Sequence, residues 1–156
     1  MTVSATTRPV SSSPWLAMSF EDIEPGMWLR TRGRTITETD LVAFSALTGD
    51  WNPIHADAEA AAASRYGERV AHGLLILSYA VGLLPIDPDR VVAMRHLRDV
   101  TFKRPARLDV TLSAVATVDG CRALSDDLGL VEARLDIMAG GDELLVRAKL
   151  GALWRI

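Results

Sequence analysis

Residues 73–86 read GLLILSYAVGLLPI, the longest strongly apolar stretch of the chain. A membrane-spanning helix needs about 18–20 such residues, whereas this stretch has 14 and includes Ser78 and Tyr79. A helix that is apolar on every side is typically buried in a protein core. We therefore predict a central buried helix from Gly73 to Leu84, ended by Pro85, and no membrane span.

The C-terminal half of the chain has a different period. Apolar residues alternate with charged ones in residues 130–138 and 145–155, and residues 91–102 and 110–118 are also strand-like. This alternation is typical of antiparallel strands with one buried face. Because helices come early and strands late, we predict an α+β fold in which a curved antiparallel sheet wraps around the central helix.

Shorter elements are expected before the central helix. A strand is expected around residues 27–29, after a Pro-Gly turn signal. A helix should begin after Thr37, whose hydroxyl can cap it together with Asp40 in a capping box, and should end at Gly49. The alanine-rich residues 57–66 favour a further helix.

Length and composition limit the class of protein. The chain has 156 residues, 17 basic and 20 acidic side chains and a net charge of −3, which argues against nucleic-acid binding. Residues 1–17 are rich in Ser, Thr and Pro and lack an apolar signal segment, so we expect a disordered tail there and one domain over residues 18–156. The single cysteine, Cys121, excludes an internal disulfide and favours the cytoplasm.

The densest group of reactive side chains lies in residues 50–55, DWNPIH. Asp50 and His55 stand on either side of Pro53, whose fixed φ stiffens the loop. Histidine can exchange a proton near neutral pH, and an aspartate can orient it or share a water with it. The alternative is structural, with an aspartate that caps a turn and a histidine packed in the core.

A second feature is the pair His72-Gly73 at the start of the predicted central helix. The first N–H groups of a helix lack internal partners, and the helix dipole favours negative charge there. Glycine lets a ligand approach the backbone closely, so a carbonyl oxygen at this point could be stabilised as in an oxyanion hole. Close packing of the helix start is the simpler explanation of Gly73 from sequence alone.

Ordered motifs run through residues 35–73 and just beyond. They are Thr-Glu-x-Asp at 37–40, Phe44, Thr-Gly-Asp-x-Asn-Pro-Ile-His at 48–55, Asp57, Ser-Arg-Tyr-Gly at 64–67 and Val-Ala-His-Gly-Leu at 70–74. Together they resemble the MaoC-like, (R)-specific enoyl-CoA hydratase family of hot-dog proteins. The resemblance implies a hot-dog fold, a long helix wrapped by an antiparallel sheet. Two positions depart from the family: Ala58 follows Asp57 where many members have proline, and Leu108 stands where glycine is usual.

The resemblance also implies an activity and roles for residues. Family members add water reversibly to trans-2-enoyl thioesters and give (R)-3-hydroxyacyl thioesters. Asp50 and His55 would then be the catalytic pair, and Gly73 would donate its N–H to the thioester carbonyl. Four further residues are expected to bind the substrate, order the loop or support the pair: Trp51, Asn52, His72 and Ser78.

Cofactors and partners follow from the same resemblance. No cofactor is expected, and coenzyme A or phosphopantetheine would enter only as part of an acyl-CoA or acyl-carrier-protein substrate. No metal site is expected, because the three histidines lack metal-ligand spacing. A homodimer or higher oligomer is expected, with a heterodimer as an alternative. Four basic residues could meet the substrate's phosphates or simply form a solvated strand face: Arg95, Arg98, Lys103 and Arg104.

Other functions remain open at this point. A hot-dog thioesterase would use the same fold, although the Asp-x-Asn-Pro-x-His motif argues against it. A non-catalytic subunit that binds acyl thioesters is disfavoured by the presence of both Asp50 and His55. A third alternative keeps the chemistry but acts on an unusual acyl group held by a carrier protein in a polyketide pathway.

Overall fold

The computed structural model describes residues 14–156, which are organised around a six-stranded antiparallel sheet. The strands are β1 (Trp28–Arg30), β2 (Arg34–Thr35), β3 (Val91–Phe102), β4 (Thr111–Ala123), β5 (Leu128–Ala139) and β6 (Glu143–Arg155). Their order is β1-β4-β5-β6-β3, and β2 also pairs with β4. The α+β class is confirmed, and the four long strands cover the four segments predicted from the alternation of apolar residues.

Among residues 14–156, two short 3-10 helices, Trp15–Ala17 and Phe20–Asp22, and four α-helices accompany the sheet. The α-helices are α1 (Glu38–Thr48), α2 (Pro53–Ala56), α3 (Ala58–Ala62) and α4 (Gly73–Leu83). The capping box of α1 is confirmed. The Thr37 N–H donates to Asp40 Oδ2 at 2.8 Å, and the Thr37 hydroxyl oxygen accepts the backbone N–H of Asp40. Gly49 ends α1 with a left-handed φ of 78°, which glycine adopts without a steric penalty. The end of the chain's first long helix is thus encoded locally.

The alanine-rich helix is shorter than predicted. It ends at Ala62 rather than Tyr66, because the chain turns where the Ser64 hydroxyl donates to the Ala61 carbonyl at 2.6 Å. Gly67 follows with a φ of 75°. The high helix propensity of alanine is therefore overridden by a local side-chain bond to the backbone.

Helix α4 packs one face against β4 and β5. Its buried residues are Leu75, Ile76, Leu77 and Ala80. The expectation that this helix is buried on every side is wrong for the single chain, because Leu74 is 62% exposed and a single sheet layer covers only one face. Within residues 14–156, no helix has the length and hydrophobicity needed to cross a bilayer. The cytoplasmic location stays a prediction.

The N-terminal boundary of the domain lies earlier than predicted. Trp15 and Leu16 are each 1% exposed and belong to the same hydrophobic core as α4 and the sheet. The Trp15 indole donates to the Ala116 carbonyl at 3.3 Å and stacks on Trp154, with ring centroids 6.0 Å apart. Assigning residues 14–17 to a disordered tail is therefore wrong, because they bury large apolar side chains. The remainder of the predicted tail, residues 1–13, lies outside the described residues.

Strand β3 forms one end of the sheet and pairs only with β6. The pairing has three register shifts, and Asp99 takes a φ of 51° beside one of them. Such irregularities bend a strand and increase its twist. Most residues of β3 are exposed, so its outer edge and much of its surface are open in the single chain.

Candidate active site

A cavity of about 610 Å³ lies at the N-terminal end of α4, between α1, α2 and the segment that follows β3. Asp50, His55, His72 and Gly73 all line it. The structure therefore brings together Asp50, His55 and Gly73, which were predicted to be catalytic, and His72, which was predicted to support them. Much of the remaining lining is apolar and is contributed by Phe44, Ile54, Val70, Leu74, Ile76 and Phe102.

The loop that carries Asp50 is ordered by its own side chains. Asp50 Oδ1 accepts the Asn52 N–H at 3.2 Å, and Asn52 Oδ1 accepts the Ile54 N–H at 3.2 Å, which caps α2. Pro53 occupies the first turn of α2, where its fixed φ suits a helix start. Asn52 is exposed and absent from the cavity lining, so it orders the loop from outside.

His55 is half-buried on α2 and has a defined tautomer. Its Nδ1 lies 2.7 Å from the Val70 carbonyl oxygen. Because a carbonyl oxygen only accepts hydrogen bonds, Nδ1 must carry the proton, and Nε2 of the neutral ring has a free lone pair. The Val70 N–H donates in turn to the Ile54 carbonyl at 3.1 Å. His55 is therefore oriented to accept a proton through Nε2.

His72 lies beneath His55. It is only 2% exposed, and its ring stacks on that of His55 with centroids 3.8 Å apart and an interplanar angle of 29°. Its Nε2 is 3.1 Å from Ser45 Oγ and 3.0 Å from the Asp50 carbonyl oxygen. His72 thus joins the end of α1, the Asp50 loop and the start of α4.

Asp50, His55 and His72 each offer one possible metal-ligand atom, and these atoms lie within 4.8 Å of one another. One nitrogen of each histidine is already bonded to a backbone carbonyl. The absence of a metal and of a cofactor stays a prediction.

Gly73 is the first residue of α4, and the His72 side chain caps none of the helix N–H groups. A Cβ added at Gly73 would lie 2.6 Å from Cε1 of Phe102, far inside ordinary contact distance. A side chain at position 73 would therefore require the Phe102 ring to move. The same residue lines the cavity, so the positive end of the helix dipole faces the space that holds Asp50 and His55.

Two residues predicted to assist the site lie elsewhere. Trp51 is 53% exposed and does not line the cavity. Ser78 donates its hydroxyl to the Leu74 carbonyl at 2.8 Å and borders a separate depression beside Tyr79. It follows Gly73 by five residues, which places it about 140° around the helix. The structure of the single chain therefore does not bring Trp51 or Ser78 to the pair.

The cavity residues that were not predicted as site residues include Arg65, Tyr66 and Phe102. Arg65 and Tyr66 belong to the Ser-Arg-Tyr-Gly motif at 64–67, which could have identified them. Phe102 ends β3 and carries no local signal, because only the fold brings it to Gly73. Lys103 and Arg104 also line the cavity, whereas Arg95 and Arg98 do not.

Residues 20–139 match the sequence family described as the MaoC-like domain. Among curated relatives, protein MaoC of Klebsiella aerogenes is 40% identical over 99 residues, which are 63% of this chain and 30% of that protein. An (R)-specific enoyl-CoA hydratase of Rhodospirillum rubrum is 33% identical over 65% of this chain and 69% of its own length. A 3-hydroxybutyryl-CoA dehydratase of Methylorubrum extorquens is 42% identical over 57% of this chain and 56% of its own length. The chain thus spans less than two thirds of the first and third of these relatives.

Solved structures have the same architecture. A monoamine oxidase regulatory protein from Archaeoglobus fulgius superposes with a TM-score of 0.83 at 33% identity, over 88% of this chain and 94% of that one. A Mycobacterium tuberculosis protein described as having a double hotdog fold superposes with a TM-score of 0.80 at 23% identity, over 90% of this chain and 44% of that one. The predicted hot-dog fold is confirmed.

Proposed function

This chain belongs to the family of MaoC-like domains, and on that basis we propose that it hydrates trans-2-enoyl thioesters and, in reverse, dehydrates (R)-3-hydroxyacyl thioesters. The observation that carries the proposal is the placement of Asp50, His55 and Gly73 in one cavity. Relatives named as an enoyl-CoA hydratase and a hydroxybutyryl-CoA dehydratase support the same reaction class.

The geometry suggests a mechanism for hydration. A water would be held between the Asp50 carboxylate and His55 Nε2, which accepts one of its protons while the water oxygen bonds to C3. The C2–C3 π electrons move toward the thioester, and its carbonyl oxygen becomes negative. The Gly73 N–H and the dipole of α4 would stabilise that oxygen. Transfer of the proton from the pair to C2 then completes the addition of water.

Because two relatives are named for CoA substrates, we further propose that the thioester is carried by coenzyme A and that cationic side chains at the cavity bind its phosphates. Lys103 and Arg65 line the cavity, and neither has a carboxylate ion-pair partner among residues 14–156. Arg104 also lines it and lies 3.6 Å from Glu143. Cationic side chains at a cavity are suited to phosphate groups. Lys103→Gln should therefore raise the KM for crotonyl-CoA more than the KM for crotonyl-N-acetylcysteamine, which has no phosphate; equal effects on both would contradict phosphate binding.

The outer edge of β3 supports a proposal of self-association. Unpaired strand edges tend to pair with another chain, and β3 exposes the large apolar side chains of Val92, Met94 and Phe102. We propose a homodimer that covers this surface together with the exposed face of α4. Light scattering coupled to size-exclusion chromatography should give twice the mass of the chain, and a monomer at micromolar concentration would contradict the proposal.

The reaction is tested with crotonyl-CoA by following the loss of the conjugated enoyl absorbance. Asp50→Asn and His55→Ala should abolish the loss. Asp57→Asn is the matched control, because Asp57 caps α3 outside the cavity and asparagine caps a helix equally well. The expected product is (R)-3-hydroxybutyryl-CoA. Release of free coenzyme A would instead indicate a thioesterase, and binding of unchanged substrate without turnover would indicate a binding subunit.

A further inference from the structure

His72 contacts each part of the proposed machinery. Its Nε2 is bonded to the backbone carbonyl of Asp50, its ring stacks on His55, and it directly precedes Gly73 in the chain. The side chain is almost fully buried. No other histidine among residues 14–156 is placed in this way, since His96 lies on β3 beside Glu132. The position of His72 thus affects all three groups at once.

Hydrogen bonding defines the tautomer of His72. The Asp50 carbonyl oxygen, 3.0 Å from Nε2, can only accept, so Nε2 must carry a proton. Ser45 Oγ, 3.1 Å from the same nitrogen, can share that proton as a second acceptor. The other nitrogen, Nδ1, is buried and has no hydrogen-bond partner in the described part of the chain. In the neutral ring the proton therefore lies on Nε2 and the lone pair on Nδ1.

His55 has the opposite arrangement. Its Nδ1 donates to the Val70 carbonyl, which leaves Nε2 unprotonated. We infer that the two stacked histidines are held in opposite tautomers, and that His72 is a positioning residue for the hydration proposed above. Its Nε2–H fixes the backbone of Asp50, and its stacked ring supports the imidazole of His55.

This arrangement has a consequence during turnover. When His55 accepts a proton from water, its ring stays packed against the face of the His72 ring, with centroids 3.8 Å apart. The stack therefore keeps His55 Nε2 in place, from which the proton can be returned to the substrate.

The first test is spectroscopic and does not depend on activity. The chain has three histidines, so long-range ¹H–¹⁵N spectra of the ¹⁵N-labelled protein contain only three imidazole patterns. His55→Gln, His72→Gln and His96→Gln assign them. At a pH where all three rings are neutral, we expect the proton on Nδ1 of His55 and on Nε2 of His72. The same tautomer at both residues would overturn the inference, whether or not the protein hydrates crotonyl-CoA.

The second test compares two amides at position 72. Glutamine places its N–H near the position of Nε2, whereas asparagine reaches only as far as Nδ1. His72→Gln should keep kcat for crotonyl-CoA within about tenfold of the wild type. His72→Asn should lower kcat on the order of 10²-fold with little change in KM, as expected for a catalytic group displaced by about 1 Å.

Asparagine is also the better helix N-cap, so a loss of α4 stability would not explain a selective defect of His72→Asn. Thermal melting of both variants checks this point. Equal kcat values for two folded variants would overturn the positioning role. If both variants fail to fold, the tautomers of the wild type still decide the inference. An inactive wild type with opposite tautomers would contradict the proposed reaction while leaving the assignment of protons intact.

Discussion

Replacing Gly73 by proline tests the proposed oxyanion donor at a position where proline should be tolerated. Gly73 is the first residue of α4, where proline has a suitable φ and where the lost N–H has no acceptor within the helix. The preceding residue, His72, has φ −60° and ψ 135°, the extended conformation favoured before proline. The helix should therefore form, but without the N–H that is proposed to bind the thioester oxygen.

Both proline and alanine add a Cβ, so alanine is the matched steric control. That Cβ would lie 2.6 Å from Cε1 and 2.9 Å from both Cδ1 and Cζ of Phe102, and the ring would have to move by about 1 Å to restore an ordinary contact of about 3.5–4.0 Å. Phe102→Ala removes all three of these ring atoms. We therefore compare Gly73→Pro with Gly73→Ala in the Phe102→Ala background, where the main difference is the backbone N–H.

Loss of one oxyanion donor typically costs about 2.7–4 kcal/mol, a factor of about 10²–10³ in kcat. We expect the Gly73→Pro variant to fall below the Gly73→Ala variant by this factor in the crotonyl-CoA assay. Circular dichroism should show the same helix content and similar melting temperatures for the two. Values of kcat within threefold of each other would refute the assignment of the Gly73 N–H, and the stabilisation would then have to come from another group in the cavity.

Three further predictions concern stability and reactivity. Burial raises the pKa of Asp40, but hydrogen bonds led by the Tyr79 hydroxyl outweigh it and hold that pKa below the ordinary value. The ionised Asp40 therefore stabilises the folded protein above about pH 4, and this stabilisation is lost as the pH falls through the lower folded-state pKa. Asp40→Asn should weaken the pH dependence of urea unfolding in acid. Trp15→Ala should lower the unfolding free energy by about 3–5 kcal/mol, and a loss below 1 kcal/mol would contradict its place in the core. Burial raises the pKa of the Cys121 thiol, so a thiol reagent at pH 8 should react more slowly with native than with urea-unfolded protein, and equal rates would contradict that burial.

The sequence predicts those parts of the fold whose signals are local. The capping box of Thr37 and Asp40 and the left-handed Gly49 fix both ends of α1 within the helix itself. The alternation of apolar residues in β5 and β6 reports burial of one face directly, because successive side chains of a strand point to opposite sides. The strands and α1 could therefore be placed without knowledge of the tertiary structure.

Other features depend on contacts between distant parts of the chain. Trp15 follows the Ser-Ser-Ser-Pro stretch at 11–14, yet it packs on Trp154 across the core. The composition of α4 does not show how many faces of the helix are covered. In the single chain the sheet covers one face, and Leu74 is exposed. The depth of the cavity and its contact with Phe102 likewise follow from the path of β3. In each case the partner lies far away in sequence, so no local pattern could indicate it.

The chemistry of the two histidines shows why a motif identifies residues but not their states. Each ring is oriented by a backbone carbonyl, that of Val70 for His55 and that of Asp50 for His72. Every residue has a carbonyl group, so no residue type in the sequence reveals these acceptors. These two carbonyl groups lie next to the histidine rings because the segment before α4 runs beside the loop after α1. The same two histidines on another backbone path could have either tautomer, so it is the fold that leaves the lone pair of His55 on Nε2 and that of His72 on Nδ1.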